Sequence, residues 1–217
     1  MPCGGPGRLN FAPLARLLDV DEIRFDDDGL VPCVMQDAGT GEVLTLAYMN
    51  EEALERTRET GEMHFWSRSR GELWRKGATS GNTMRLRALR YDCDEDALVA
   101  LVDPSGPACH TGERTCFHRG DTSPVAGEAL PTLERTIASR RSADPAESYT
   151  AALFTSPDRI GEKVREEADE AARAAAGESD ERLAEEAADV LYHLSVLMAS
   201  RGLSLRDAYE ELNRRRQ

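Results

Sequence analysis

The sequence predicts an α+β N-terminal domain, mostly β, joined to an all-α helical-bundle C-terminal domain. Three observations predict it. The first half alternates short β-favouring runs with turn signals such as "DAGTG". A polar, aperiodic stretch follows, "GDTSPVAGEA", of the composition that suits an exposed connector. Beyond it, apolar residues recur at helical spacing. These features set a first domain at residues 1–119, a connector at 120–129 and a helical domain at 130–217.

In chain order, "LVPCVMQDAGTGEVLTLAYMN" reads as a hairpin, with apolar residues on both sides of a Gly-containing turn. Asn50 can cap a helix through "EEALERTRET", with Glu51 and Glu52 in its first turn and Gly61 just past its end. A second hairpin is expected at "MHFWSRSRGELWRKG", followed by strands from Met84 to Cys93 and from Ala97 to Val102. Beyond the connector, Leu130, Leu133 and Ile137 share a helical face. Ser156 and Pro157 suit an N-cap and first turn, and Gly177 and Gly202 suit helix ends. A helix from about Asp180 to Ser200 carries an apolar stripe at Leu183, Ala187, Val190, Leu191, Leu194 and Leu197, the pattern of a bundle face. The two halves share no internal repeat.

Composition narrows the function classes. A chain of 217 residues, 40% hydrophobic and 31% charged, has material for one large or two small cores. It has no apolar run near bilayer-spanning length, and "MPCGGPGRLNF" lacks the basic and apolar blocks of a secretory signal, so no membrane role and a cytoplasmic location are expected. Five cysteines are an odd number for a disulfide framework and are better tested against metal or catalytic use. A net charge of −13 argues against a nucleic-acid surface. Anionic phosphate compounds would then need bound cations and a local basic patch.

Three features of the first half carry chemistry. Cys93, Cys109 and Cys116, with His110 and His118 alongside, form a soft ligand set suited to Zn²⁺, and three protein ligands leave a tetrahedral position open for water. Zinc lowers the pKa of that water to about 7, which suits a hydrolase. The cysteines could instead be small buried hydrophobes, and His110 could close a structural site as the fourth ligand. In "YDCDED", Asp92, Asp94 and Asp96 alternate with Cys93. As hard oxygen donors they would select Mg²⁺, yet on a straight strand the outer pair would lie about 13 Å apart, too far for one ion. Either the strand bends, or one aspartate is not a direct ligand, or the segment is a solvated acidic turn. In "SRSRGELWRKGATSGN", Arg68, Arg70, Arg75 and Lys76 lie among Ser67, Ser69, Thr79, Ser80, Gly81 and Asn82, a mix that can cradle phosphate or simply face solvent.

The runs "LTLAYMNEEAL", "TGEMHFWSRSRGELWRKGATSGN", "DCDEDA" and "GPACHTGERTCF", in that order, resemble phosphoribosyl-AMP cyclohydrolase of histidine biosynthesis. The resemblance implies zinc on Cys93, Cys109 and Cys116, magnesium on Asp92, Asp94 and Asp96, and an acid/base role for His110. It also implies substrate contacts from Ser67, Arg68, Ser69, Arg70, Trp74, Lys76, Gly77, Ser80, Gly81 and Asn82, and a homodimer with sites at the subunit interface. Ala78 departs from the family pattern, which carries glutamate there.

In the second half, Glu166, Glu167 and Glu170 fall within an arc of about 100° on one helix, and Glu186 and Asp189 lie about 60° apart on the next. Paired as a hairpin, the two helices could form an oxygen cage for Mg²⁺. Acidic residues interleaved with arginines more commonly make a solvated face, but Asp189 borders the apolar Val190 and Leu191. The pattern E-x-x-E then E-x-x-D, with "ERTIASRRSADPAESYTAALF" before it, resembles phosphoribosyl-ATP pyrophosphohydrolase of the all-α nucleoside triphosphate pyrophosphatases. The resemblance implies Mg²⁺ held by Glu167, Glu170, Glu186 and Asp189, catalysis by Glu167 and Glu170, and substrate contact from Lys163. Arg165 departs from the family, which carries glycine there.

Together the resemblances imply a bifunctional hydrolase acting on phosphorylated nucleotides. The rival readings are a zinc-stabilised module fused to a non-catalytic helical dimerisation bundle, or one active domain beside an inactive one.

Overall fold

The computed structural model describes residues 22–216. Cys3 and the N-terminal stretch read above for a secretory signal lie outside them. The chain divides into two compact units between Ser123 and Pro124. Among the described residues no helix is long and apolar enough to cross a membrane.

Among the described residues, the first unit is a six-stranded sheet in the order β4-β3-β2-β1-β6-β5 with one α-helix. Strands β1 (Val31–Asp37) and β2 (Val43–Met49) form the first expected hairpin. Along β1, Val31, Cys33, Met35 and Asp37 are buried and their neighbours are not, so the period of two places one face on the core. Helix α1 (Glu51–Thr60) begins where Asn50 accepts a hydrogen bond from the Ala53 N–H and ends at Gly61 in the left-handed region. Strands β3 (His64–Ser67) and β4 (Glu72–Arg75) form the second hairpin, on which α1 packs. Strand β6 (Leu98–Pro104) pairs parallel to β1 and antiparallel to β5 (Met84–Tyr91). Met35, Leu44, Met49, Leu54, Met63 and Phe65 fill the core between sheet and helix.

One strand ends earlier than the sequence suggests. β5 stops at Tyr91 rather than reaching Cys93, because the Asp92 carboxylate accepts hydrogen bonds from the N–H groups of Asp96 and Ala97 at 3.1 and 3.2 Å. Those two donors bind a side chain instead of a ladder partner, and Glu95 takes a positive φ of 68° to complete the turn.

The second unit is helical: α2 (Ala129–Arg140), α3 (Tyr149–Phe154), α4 (Pro157–Gly177), α5 (Asp180–Ser200) and α6 (Leu205–Arg215). Ser148 and Ser179 cap α3 and α5 through side-chain oxygens. Pro157 opens α4, where its missing N–H costs nothing. Helices α4 and α5 form a hairpin, and Ile137, Leu153, Ile160 and Val196 make the small core.

The apolar stripe expected to form the buried face of α5 is only half-buried: Leu183, Val190, Leu194 and Leu197 are partly covered, Leu197 against the core. Leu191 is 40% exposed and Ala187 is exposed, whereas Glu186, His193, Ser195 and Val196 are buried. The helix is turned so that its acid and histidine face meets α4, whose own buried residues are Ile160, Glu167 and Ala174. Meeting α4 through carboxylates leaves Leu191 of α5 on the outside.

The turn after β4 depends on one glycine. Gly77 has φ 81°, and a Cβ there would sit 2.5 Å from the backbone of Asn82 and Thr83. Gly77→Ala should therefore destabilise the first unit by about 2 kcal/mol or more, adding a left-handed penalty to a backbone clash. Both tryptophans, Trp66 and Trp74, lie in this unit, so urea unfolding followed by tryptophan fluorescence reads it separately. A midpoint equal to wild type would contradict the turn geometry.

Candidate functional site

The acidic run forms a compact turn. Once β5 ends at Tyr91, the bend brings one ligand oxygen from each of Asp92, Asp94 and Asp96 to within 4.8 Å of the others. That distance replaces the roughly 13 Å of a straight strand. All three carboxylates are exposed. The charge of Asp94 pushes the Asp96 carboxyl above its ordinary value. Asp92 uses Oδ1 on the two turn N–H groups. Cys93, exposed on the same turn, lies 3.7 Å from Asp94 Oδ1.

Cys109 and Cys116 occupy a loop clamped to the sheet. Within the loop, the N–H groups of Ala108 and Cys109 donate to the carbonyls of Arg114 and Glu113. The Cys116 N–H donates to the Leu44 carbonyl at 2.8 Å, and the Thr115 hydroxyl donates to that of Val43 at 2.9 Å. These bonds hold both cysteines on one loop against the β1–β2 hairpin. A hydrogen bond from the Thr111 hydroxyl pulls Cys109 below its ordinary value, while burial pushes Cys116 up. His110 is exposed, with Nδ1 3.9 Å from Cys109 Sγ. Among the described residues, no group of three possible metal ligands within 4.8 Å contains a cysteine. Cys93 therefore does not join Cys109 and Cys116 within one chain.

The basic and hydroxyl residues separate into two places. Ser67, Arg68, Arg70 and Trp74 line a groove of about 360 Å³ together with Tyr48 and Trp66. There the Arg68 guanidinium stacks 3.7 Å over the Tyr48 ring, and Arg70 pairs with Glu72 at 2.6 Å. Ser69 is exposed at the tip of the same hairpin. Lys76, Gly77, Ser80, Gly81 and Asn82 belong to the turn after β4, beside the cysteine loop: Lys76 Nζ donates to the Ala108 carbonyl at 2.7 Å. Gly106 lies against Asn82, because a Cβ on it would meet Asn82 Oδ1 at 2.4 Å. Ala78 is exposed on this turn.

In the helical unit, Glu167 of α4 meets Glu186 and Asp189 of α5, with one ligand oxygen from each within 4.8 Å of the others. Glu186 is 1% exposed, and its Oε1 is buried without a hydrogen bond of normal geometry, beside the Arg182 guanidinium. Burial and the neighbouring carboxylates push Glu186 above its ordinary value. Lys163 has the opposite effect on Glu167: a 2.9 Å ion pair holds that carboxyl below its ordinary value. Glu170 stands outside the trio and pairs with Arg173 at 3.3 Å and Arg182 at 3.9 Å. Arg165 is exposed and reaches back over Gly161. A buried carboxylate with only a guanidinium partner, among hard donors at this separation, fits a divalent cation.

Sequence reasoning passed over His193 and Tyr149. His193 is 4% exposed; its Nδ1 lies 3.0 Å from the Asp189 carbonyl and 3.8 Å from Glu167 Oε1. A carbonyl only accepts, so Nδ1 carries the proton, and Nε2 accepts from the Tyr149 hydroxyl at 3.2 Å. Helical spacing held the signal, since Glu186, Asp189 and His193 span an arc of only about 60°.

Comparison with known proteins bears on both units. The phosphoribosyl-AMP cyclohydrolase family model matches residues 45–118, and the phosphoribosyl-ATP pyrophosphohydrolase model matches residues 130–216. The chain is 51% identical to the histidine biosynthesis bifunctional protein HisIE of Bacillus subtilis, over 90% of this chain and 95% of the relative. It is 46% identical to HisIE of Caldanaerobacter subterraneus, over 92% and 98%. HisIE of Synechocystis is also 46% identical, over 94% and 97%. The chain belongs to the bifunctional HisIE family. The two sets of candidate ligands in this HisIE-family chain thus fall one in each matched region.

The thiols of this chain should differ in reactivity. Burial pushes Cys33 up to about 12, while Cys93 is exposed. In folded, chelator-treated protein at pH 8, iodoacetamide should modify Cys93 at least tenfold faster than Cys33, because the thiolate is the nucleophile. Equal rates in peptide mapping would contradict the burial of Cys33 under the sheet.

Proposed function

We infer that the chain is a bifunctional hydrolase of histidine biosynthesis. The helical unit hydrolyses phosphoribosyl-ATP to phosphoribosyl-AMP and pyrophosphate, and the sheet unit then opens the adenine ring of phosphoribosyl-AMP by hydrolysis. The observation that carries this reading is the pairing of two family matches with two chemically different ligand sets, one per unit.

Magnesium is proposed for the helical unit on Glu167, Glu186 and Asp189, with Glu170 on the same face of α4. The cation, when bound, supplies charge neutralisation on the triphosphate and activation of water. Lys163 keeps Glu167 ionised and able to accept a proton or a ligand. His193 and Tyr149 buttress the trio from behind, fixing the ring against Glu167 and the Asp189 backbone.

Zinc is proposed on Cys93, Cys109 and Cys116, and magnesium on the aspartate turn. Zinc, when bound, supplies a water of lowered pKa. His110, exposed next to Cys109, is placed to move a proton to or from the purine. The groove of Tyr48, Trp66 and Trp74 offers aromatic faces for a base, with Arg68 and Arg70 at hand for phosphate.

A homodimer is part of the same proposal. The separation of Cys93 from Cys109 and Cys116 supports a zinc set completed between two copies, and the exposed Leu191 of α5 supports a helical contact. A cytoplasmic location goes with it, since a reducing compartment keeps cysteines available as ligands.

Asp189→Asn should reduce pyrophosphate release from phosphoribosyl-ATP at least a hundredfold while leaving ring opening of supplied phosphoribosyl-AMP within twofold of wild type. Near-normal pyrophosphate release would remove Asp189 from the metal site. For the shared zinc set, Cys93→Ser and Cys109→Ser should each be inactive in ring opening. Refolded together they should regain up to about a quarter of wild-type activity, because half the dimers are mixed and each mixed dimer holds one intact set. No recovery on mixing would place all three thiolates in one chain.

A further inference from the structure

We propose that Arg114 is a positioning residue for the zinc thiolates, setting the separation of Cys109 and Cys116 by anchoring their loop to the turn between β1 and β2. This rests on the zinc reading above. Arg114 lies between the two cysteines in "CHTGERTC". Its guanidinium leaves the loop and meets two carboxylates more than seventy residues away in sequence: Nη2 to Asp37 Oδ2 at 2.6 Å and Nε to Glu42 Oε2 at 2.7 Å. Asp37 is 6% exposed at the end of the central strand. Its other oxygen accepts from the N–H groups of Gly39 and Thr40 at 2.7 and 3.2 Å, so the carboxylate that holds Arg114 also builds the turn.

The placement matters for a metal site. The Arg114 carbonyl accepts from the Ala108 N–H, so moving Arg114 moves the residue beside Cys109. Two residues on, the Cys116 N–H is bound to the Leu44 carbonyl, within the same hairpin that carries Asp37 and Glu42. Lys76 holds the other side of the loop through the Ala108 carbonyl. The clamp thus works on the backbone of both thiols without touching either sulfur. A planar fork that reaches two carboxylates fixes orientation as well as position, which an ammonium cannot do.

The test compares wild type, Arg114→Met, Arg114→Lys and Glu42→Gln in the full-length chain, loaded with zinc or with cobalt. Zinc release to a chromogenic chelator should be at least tenfold faster from Arg114→Met. Arg114→Lys, which keeps the charge but lacks the planar fork, should fall between that and wild type. The near-ultraviolet cobalt–thiolate charge-transfer band should weaken or shift in the same order. Pyrophosphate release by the helical unit should stay within twofold, and tryptophan fluorescence should report a folded sheet unit. Should Arg114→Met fail to fold, Glu42→Gln decides, with an expected threefold or greater increase in zinc release. Unchanged zinc release and cobalt spectra in a folded Arg114→Met, or in Glu42→Gln where Met is not tolerated, would overturn the role. Wild-type protein that binds no zinc would overturn the metal reading itself, and this role with it.

Discussion

Carboxylates gathered at close range repel one another, and each unit of this chain is arranged around a place where it accepts that repulsion. In the sheet unit, three aspartates share a turn that would cost less with neutral residues. In the helical unit the cost is steeper, because Glu186 is buried and its carboxyl oxygen has no hydrogen bond of normal geometry. Both places have structure that forces the approach. Asp92 draws the backbone of Asp96 and Ala97 onto itself, and the α4–α5 hairpin holds Glu167 against Glu186 and Asp189. Positive side chains offset only part of the charge: Lys163 stands on Glu167 and Arg182 beside Glu186. A chain with net charge −13 gains nothing in stability from such clusters, so a ligand that brings positive charge is the economical explanation for them.

The legibility of the fold in the sequence followed the range of the interactions involved. Helix α1 was readable to the residue because its determinants are local: Asn50 caps it and Gly61 ends it. The bounds of α5 came out at Asp180 and Ser200 for the same reason, with Ser179 as the cap. The end of β5 was misread because strand propensity continues through Cys93, and only the Asp92 side chain, bonding four and five residues ahead, stops it. The orientation of α5 was misread because a hydrophobic stripe normally marks the buried side. Here the buried side is set by what α4 presents, which is Glu167.

The candidate residues were legible by type and only partly by grouping. The alternating aspartates and the helical carboxylates were visible as donors, and the structure brings each set together except Glu170. The basic stretch was read as one run that could cradle phosphate or face solvent, yet it divides between a groove and a turn. Arg68 and Arg70 border the groove, while Lys76 reaches the Ala108 carbonyl on the cysteine loop. Nothing within "WRKGATSGN" announces that division, because it depends on where residues 106–108 pass. His193 was the opposite case, a residue whose spacing from Glu186 and Asp189 was in plain view but which went unread, because its contacts with Glu167 and Tyr149 come from other helices.

The two units are incomplete in different ways, and one kind of assembly answers both. Among the described residues no third soft ligand stands beside Cys109 and Cys116, while Cys93 sits exposed on the acidic turn. The helical unit buries a polar face and leaves Leu191 on the surface. A missing ligand and an uncovered leucine are unrelated defects, with different chemistry and in separately folded units. Under the homodimer proposed above, a second copy supplies the cysteine in one unit and the apolar cover in the other. Covering Leu191 would leave the carboxylates as they are, because Glu167 and Glu186 are already buried between α4 and α5. Assembly would act on the helical unit through apolar burial alone, and on the sheet unit through a ligand.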